Sequence, residues 1–572
     1  MSEKIGMRRG LTRYGDEGFS LYLRNAFIKA MGYSSDALSR PVIGIVNTYS
    51  GFNPCHGNVP QIVEAVKRGV MLAGGLPIDF PTISLHESFS FPTSMYLRNL
   101  MSMDTEEMLR ALPMDACVLI GGCDKTVPAQ LMAAASADVP AICVVTGPML
   151  SGSHRGERVG ACTDCRRFWG DYRGGSIDKD EIDEVSEQLV PTVGTCGVMG
   201  TASTMACMTV GLGMMLPDGA TIPAVQSERL RHAEASGVQA LKLAEKGLKP
   251  SDIITPGSLK NALRVLLALG GSANGIIHMA AVAGRMGIEL DLQAFDALGA
   301  KTPVLVDLKP TGKYYMDDLH KAGGMATVLR ELKPLLDLDC MTVTGRTLGE
   351  EIDAFPPPHD QDVVRPMANP VHSSGSVAFL KGNLAGDGAV IKQSACSSDL
   401  LVHSGHAVVF DSLEDLSRRI DDMSLDVEKD DVLVLRNAGP KGAPGMPEAG
   451  YIPIPRKLAV QGVRDMVRIS DCRMSGTAFG TIVLHAEPEA AVGGPLAMVK
   501  TGDIIRLDVP NRNLSLEISD EERVRRKNAW TPPSPKKVSR GYRKLYVDQV
   551  NQAGQGADFE FLTRRPFVAK TP

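Results

Sequence analysis

A chain of 572 residues is too long for one hydrophobic core, so two or more domains are expected. Its 44% hydrophobic and 22% charged residues fit a soluble globular protein, and a net charge of -5 with both signs scattered leaves no basic stripe for nucleic acid. The N-terminus lacks an apolar signal core and no apolar run reaches the ~18–20 residues of a membrane helix, so a cytoplasmic protein without a membrane partner is expected, its eleven cysteines thiols rather than disulfides.

PVIGIVN (41–47) reads as a buried strand. In 59–75, Val59, Ile62, Val63, Val66 and Val70 fall at helical spacing and Gly74-Gly75 closes the run. A strand follows at 79–84, then a helix at 104–112 opened by Asp104 with Glu107 as a capping box. A strand at 115–120, a helix at 127–137 and a strand at 141–146 complete a βαβα rhythm, the signature of a parallel sheet covered by helices. The uncharged stretch 198–215 predicts a helix buried on all sides, with further helices near 258–270 and 315–333.

FPPPHDQD (355–362) reads as a linker. After it come short strand candidates at 376–386, 388–392, 406–410, 432–436, 481–486, 503–509 and 514–518, separated by Gly/Asp turns. The expected fold class is therefore α/β, with an α/β domain over 1–360 and a β-rich, barrel-like domain over 361–572. The charged tail 519–572 is expected to wrap a neighbour or be partly mobile, and there is no internal repeat.

Three cysteines share one local grammar. Cys55 in NTYSGFNPCHGNVP, Cys123 in IGGCDKTVP and Cys196 in VGTCGVMGTAS each lie among Gly, Pro, Asn or Thr ahead of a predicted helix. A helix N-terminus favours the thiolate, the form that binds soft metals. Their separations match no short zinc or ferredoxin spacing, so a shared metal site and three unrelated loop thiols both stand. Cys162 and Cys165 form one CxxC without a second, which reads as a loop, and Cys117, Cys143, Cys207 and Cys340 sit in apolar runs as buried thiols.

Glu87, Asp124 and Glu448 lie past strands or in Gly/Pro loops, where carboxylates bind Mg²⁺; each alone reads equally as a solvated acid. Ser475 in ISDCRMSGTAFG follows a strand-like segment, but no GxSxG elbow supports a hydrolase triad. No GxGxxG or Walker motif appears, and His56, His86 and His485 read as structural histidines.

IGGCDKTVPA, TCGVMGTAST and SDCRMSGTAFG together resemble the dihydroxy-acid and sugar-acid dehydratases, a family that includes phosphogluconate dehydratase. The resemblance runs from RNAFIKAMGY at 24–33 to GADFEFL at 556–562. It implies a hydro-lyase that converts a 2,3-dihydroxy acid to a 2-keto-3-deoxy acid. Cys55, Cys123 and Cys196 correspond to the family's iron–sulfur ligands, and Glu87, Asp124 and Glu448 to its Mg²⁺ ligands. Lys125 falls where several members carry a carbamylated lysine. Ser475 matches the proposed catalytic base, and its use as an alkoxide requires strong local positive charge. Thr477 and Thr48 are candidates for positioning hydrogen bonds. The resemblance implies a [2Fe–2S] cluster rather than [4Fe–4S], a small-molecule substrate, and a homodimer or homotetramer.

Glu87 within HESF, the serine motif and VLHAEPEAA resemble the pentonate and hexonate dehydratases. Branched-chain members usually read SDGRFSGGS and carry Asp at position 87, whereas the sugar-acid branch more often has Ala than Cys at 472 and Tyr than Phe at 479. The alternatives are a branched-chain dihydroxy-acid dehydratase, a noncatalytic iron–sulfur sensor and a zinc-binding structural protein.

Overall fold

The computed structural model describes residues 5–11, 14–533 and 538–564. The alternation after residue 41 builds a parallel sheet of β1 (Val42–Asn47), β2 (Leu76–Pro81), β3 (Ala116–Gly121) and β4 (Ala141–Val145), in the order β2-β1-β3-β4. β3 and β4 are buried at every residue, as expected of apolar strands with both faces covered. The predicted stripe Val59, Ile62, Val63, Val66 and Val70 is the buried face of the helix Val59–Leu72, which packs on the helix Ser227–Lys246.

Three expectations are corrected. The second strand lies at Leu76–Pro81 rather than 79–84. The helix expected at 104–112 begins ten residues earlier and runs Ser94–Ala111, so Asp104 is interior and accepts from the Ile83 N–H at 2.9 Å instead of capping. The single helix over 315–333 is two, Met316–Lys321 and Gly324–Leu332, broken where Gly323 and Gly324 take φ of 91° and 57°. By contrast the helix Thr201–Gly211 is buried at every position, as its uncharged sequence predicts.

A small hairpin, β5 (Gly152–His154) with β6 (Glu157–Val159), follows the parallel sheet. Residues 355–362 carry no helix or strand. Beyond them β7 (Ala378–Gly382), β8 (Ala385–Ile391), β9 (Val402–Phe410), β10 (Val432–Leu435), β11 (Arg468–Ser470), β12 (Ile482–Glu487), β13 (Ile504–Asp508) and β14 (Asn513–Leu516) close into a barrel, in the order β10-β11-β12-β8-β7-β14-β13-β9. Closure leaves no edge strand to aggregate. Ile391, Val434, Ile469, Val483, Ile505 and Leu507 belong to the apolar cluster that fills it. The β9-β10-β11-β12 stretch is parallel and most of the remaining pairs are antiparallel.

The described part of the tail packs on the chain's own body. The helix Gly541–Gln549 and the segment after it fold back on the chain, burying Tyr546 and Phe559. Asp558 lies against Arg285 at 2.6 Å with both side chains fully buried. No helix among the described residues is long and apolar enough to cross a membrane.

Candidate active site

In an open parallel sheet, ligands gather beyond the carboxyl ends of the strands where the connection order reverses. Here that point lies between β1 and β3: the chain leaves β1 for β2 on one side, then returns to place β3 on the other. Cys55 sits on the turn Pro54–His56 after β1, Glu87 on the turn Glu87–Phe89 after β2, and Cys123-Asp124-Lys125 on the turn after β3. Glu448 and Ser475 lie in the loops that follow β10 and β11 of the barrel. The glycines before Cys123 are required by close approach: a Cβ on Gly122 would stand 1.9 Å from Thr146 Oγ1.

The thiols converge. Sulfur atoms of Cys55 and Cys123 and a ring nitrogen of His86 lie within 4.8 Å of one another. Cys196 is not part of that group, but it interacts electrostatically with both Cys55 and Cys123 and so lies nearby. For Cys55 and Cys196 the lowering expected at a helix terminus is not found. The hydrogen bond to Cys123 and burial push Cys55 well up, and the hydrogen bond to Cys162 and burial do the same to Cys196. Crowded, dry thiols resist deprotonation until a cation is present. His56 fixes the Cys123 backbone: its Nε2 accepts from the Cys123 N–H at 3.1 Å while Nδ1 donates to the Thr48 carbonyl at 2.9 Å. Burial holds its pKa down to about 4, so it stays neutral. The Thr48 hydroxyl is buried and donates to the Ile120 carbonyl at 2.8 Å.

The CTDC motif is not an unrelated loop. Cys162 precedes the helix Thr163–Arg173, and its Sγ lies 3.7 Å from that of Cys196. By contrast Cys117, Cys143, Cys207 and Cys340 are buried thiols, as expected.

Next to the thiols, Glu87, Asp124 and Glu448 each place an oxygen within 4.8 Å of the others. Lys125, fully buried, contacts Asp124 directly and lies 3.5 Å from Glu87 and 3.6 Å from Glu448. A second buried cation, Arg473, was not singled out in the sequence. It contacts Glu448, stands 3.3 Å from Glu87, and donates to Thr93 Oγ1 at 2.7 Å. Thr93 Oγ1 donates in turn to Glu87 at 2.6 Å, so the hydroxyl that would cap the helix Ser94–Ala111 serves the acid instead. Burial raises the Glu87 carboxyl, but Arg473 and Lys125 outweigh it and hold Glu87 well below the usual range. Burial keeps Glu448 above it. Burial and Arg473 lower Lys125, yet the three acids prevail and keep it an ammonium.

Ser475 Oγ and Thr477 Oγ1 are 2.8 Å apart. Their loop is clamped from three sides. The Thr163 hydroxyl donates to the Thr477 carbonyl at 3.1 Å, Asn274 donates to the Met474 carbonyl at 3.0 Å, and a Cβ on Gly476 would stand 2.8 Å from the Thr201 nitrogen. The loop thus meets the N-terminal, positive end of the helix Thr201–Gly211. Cys472 is a buried thiol whose sulfur accepts from Ser470, and His485 is buried and neutral, held down to about 3 by burial and by Arg473.

The donor sets suit two different metals: soft thiols for iron–sulfur, and hard carboxylate oxygens for Mg²⁺. Cys123 and Asp124, adjacent in sequence, belong one to each. The chain is 46% identical over 552 residues to the L-arabinonate dehydratase of Rhizobium leguminosarum bv. trifolii, covering 96% of this chain and 95% of that protein. It is 46% identical over 538 residues to the 6-deoxy-6-sulfo-D-gluconate dehydratase of Pseudomonas putida, covering 94% and 93%. It is 41% identical over 543 residues to a dihydroxy-acid dehydratase of Acetivibrio thermocellus, covering 94% and 97%. Residues 40–351 match the N-terminal part, and residues 362–557 the C-terminal part, of the dihydroxy-acid/6-phosphogluconate dehydratases, and the chain belongs to that family.

Proposed function

We propose that the protein is a hydro-lyase that dehydrates a sugar acid bearing 2,3-hydroxyls to the 2-keto-3-deoxy acid. Cys55, Cys123 and Cys196 would hold a [2Fe–2S] cluster, and Glu87, Asp124 and Glu448 a Mg²⁺ ion. The observation that carries this reading is the abutment of a thiol set and a carboxylate set at one strand switch point, joined through Cys123-Asp124. Bound there, the two groups supply Lewis acidity to the leaving hydroxyl and to the substrate's carboxylate end.

Ser475 Oγ takes the C2 proton. Thr477 Oγ1, 2.8 Å away, orients it, and the positive end of the helix Thr201–Gly211 favours its anion. Loss of that proton from C2 and of the C3 hydroxyl as water leaves an enol, which tautomerises to the keto acid. Arg473 and Lys125 balance the acids in the metal-free protein. Carbamylation of Lys125 would exchange that cation for an anion once a metal takes over the balance.

Two of the relatives named above are named for sugar acids and one for a dihydroxy acid, so the second reading is a branched-chain dihydroxy-acid dehydratase. Keto-acid formation from L-arabinonate, D-xylonate, D-gluconate and 2,3-dihydroxyisovalerate, assayed side by side with Mg²⁺, separates the two. The expected result is a kcat/KM at least about tenfold higher on a sugar acid, a difference of ~1.4 kcal/mol in transition-state binding. A preference for 2,3-dihydroxyisovalerate would replace the first reading with the second.

A further inference from the structure

Cys162 belongs to no predicted ligand set, yet it faces Cys196 with 3.7 Å between sulfurs. With metal–sulfur bonds of about 2.3 Å, two thiolates on one tetrahedral metal stand about 3.8 Å apart, so this separation is the edge of a tetrahedral thiolate site. Cys55 and Cys123 form a second close pair, within 4.8 Å. The four thiols are thus arranged two and two, as a cluster of two irons would take them.

Cys162 is also held in place. Its neighbour Thr163 donates to the Thr477 carbonyl at 3.1 Å. Asp164, buried, accepts from the Gly160 N–H at 2.8 Å, from Tyr315 at 3.0 Å and from Lys309 at 3.1 Å. These bonds pin the turn on both sides of the thiol and tie it to the serine loop.

We propose that Cys162 is a fourth thiolate ligand, closing the position on the Cys196-bound iron that three cysteines leave open. Ligation exchanges the Cys162 S–H bond for a sulfur–iron bond; the proton goes to solvent and no electron is transferred. A site held by all four thiols would be a resting form, in which Cys162 would have to give up its place, and regain a proton, before substrate could bind there. The inference rests on the iron–sulfur reading above, and its failure is distinguishable from the failure of that reading.

The experiment is Mössbauer spectroscopy of the full chain loaded with ⁵⁷Fe and measured without substrate, for the parent, Cys162→Ser and Cys165→Ser. In the parent both irons should show all-sulfur tetrahedral parameters. In Cys162→Ser one of the two should shift to a raised isomer shift, and Cys165→Ser should match the parent. In parallel, maleimide labelling read by mass spectrometry on loaded and iron-stripped parent should find Cys162 protected about tenfold by loading, along with Cys55, Cys123 and Cys196. A parent spectrum in which one iron already has a non-sulfur ligand overturns the proposal, even where Cys162→Ser fails to hold a cluster. So does Cys162 labelling at one rate in both forms while the other three are protected. A parent that takes up no iron overturns the iron–sulfur reading instead.

Discussion

Three partly buried carboxylates held close together repel one another, and in this chain two fully buried cations offset the repulsion. Lys125 reaches all three acids, and Arg473 reaches Glu87 and Glu448 from the opposite side of the chain. The serine two residues beyond Arg473 is the proposed base. Ser475→Ala should lower turnover by roughly 10²–10⁴-fold, the range for loss of a general base, with iron content unchanged. Retention of parental turnover would remove Ser475 from the mechanism. At this scale the sequence carried the candidate ligands and not their setting. Cys55, Cys123, Cys196, Glu87, Asp124 and Glu448 stand in glycine- and proline-rich turns that ask for an explanation. Arg473 lies inside a motif that was singled out for its serine, and it becomes legible only when acids from the loops after β2 and β10 meet around it. Cys162 was passed over because a lone CxxC has no spacing partner; its neighbour is 34 residues away.

The elements carry the site by their ends. β1, β2 and β3 deliver Cys55, Cys123, Glu87 and Asp124 from their carboxyl ends, β10 and β11 deliver Glu448 and Ser475 from theirs, and Cys196 comes from the segment before the helix Thr201–Gly211. This is why the apolar runs sufficed to find most strands, whereas the helix Ser94–Ala111 was begun too late: its start lies in FPTS, where Thr93 is committed to Glu87 rather than to the helix. The tail was read as loose because its charge masks a few anchors. One is Asp558, which meets Arg285 in a pair with no exposure on either side, while Arg285 also contacts Glu106 at 3.1 Å. Removing one partner of a buried pair leaves the other uncompensated, so Asp558→Ala should cost about 3–5 kcal/mol. Urea titration of the variant, read against the parent, measures it; a cost under about 1 kcal/mol would mean the tail is docked by Tyr546 and Phe559 alone.

At the scale of the whole molecule, the pH dependence of stability reports buried carboxyls. Glu487 at the end of β12 accepts from the Gly554 N–H, and burial, with Asp387 and Glu489 adding to it, raises its pKa to about 7. A carboxyl raised on folding contributes fully below its unfolded value and loses that contribution as pH rises through the folded one. Glu487→Gln should therefore melt level with the parent near pH 5 and about 3 °C or more above it near pH 8. Equal melting at both values would show that Glu487 is solvated. Loops of the barrel and of the parallel sheet meet around one site, and everything proposed for that site depends on the metals it would hold.

The most direct measurement is therefore the iron and acid-labile sulfide content, with the visible spectrum, of anaerobically purified protein, followed by keto-acid assay on a sugar acid with Mg²⁺. The expected result is a brown protein with about two irons and two sulfides per chain that forms the 2-keto-3-deoxy acid. A colourless protein that stays iron-free and inactive after cluster reconstitution would contradict the account.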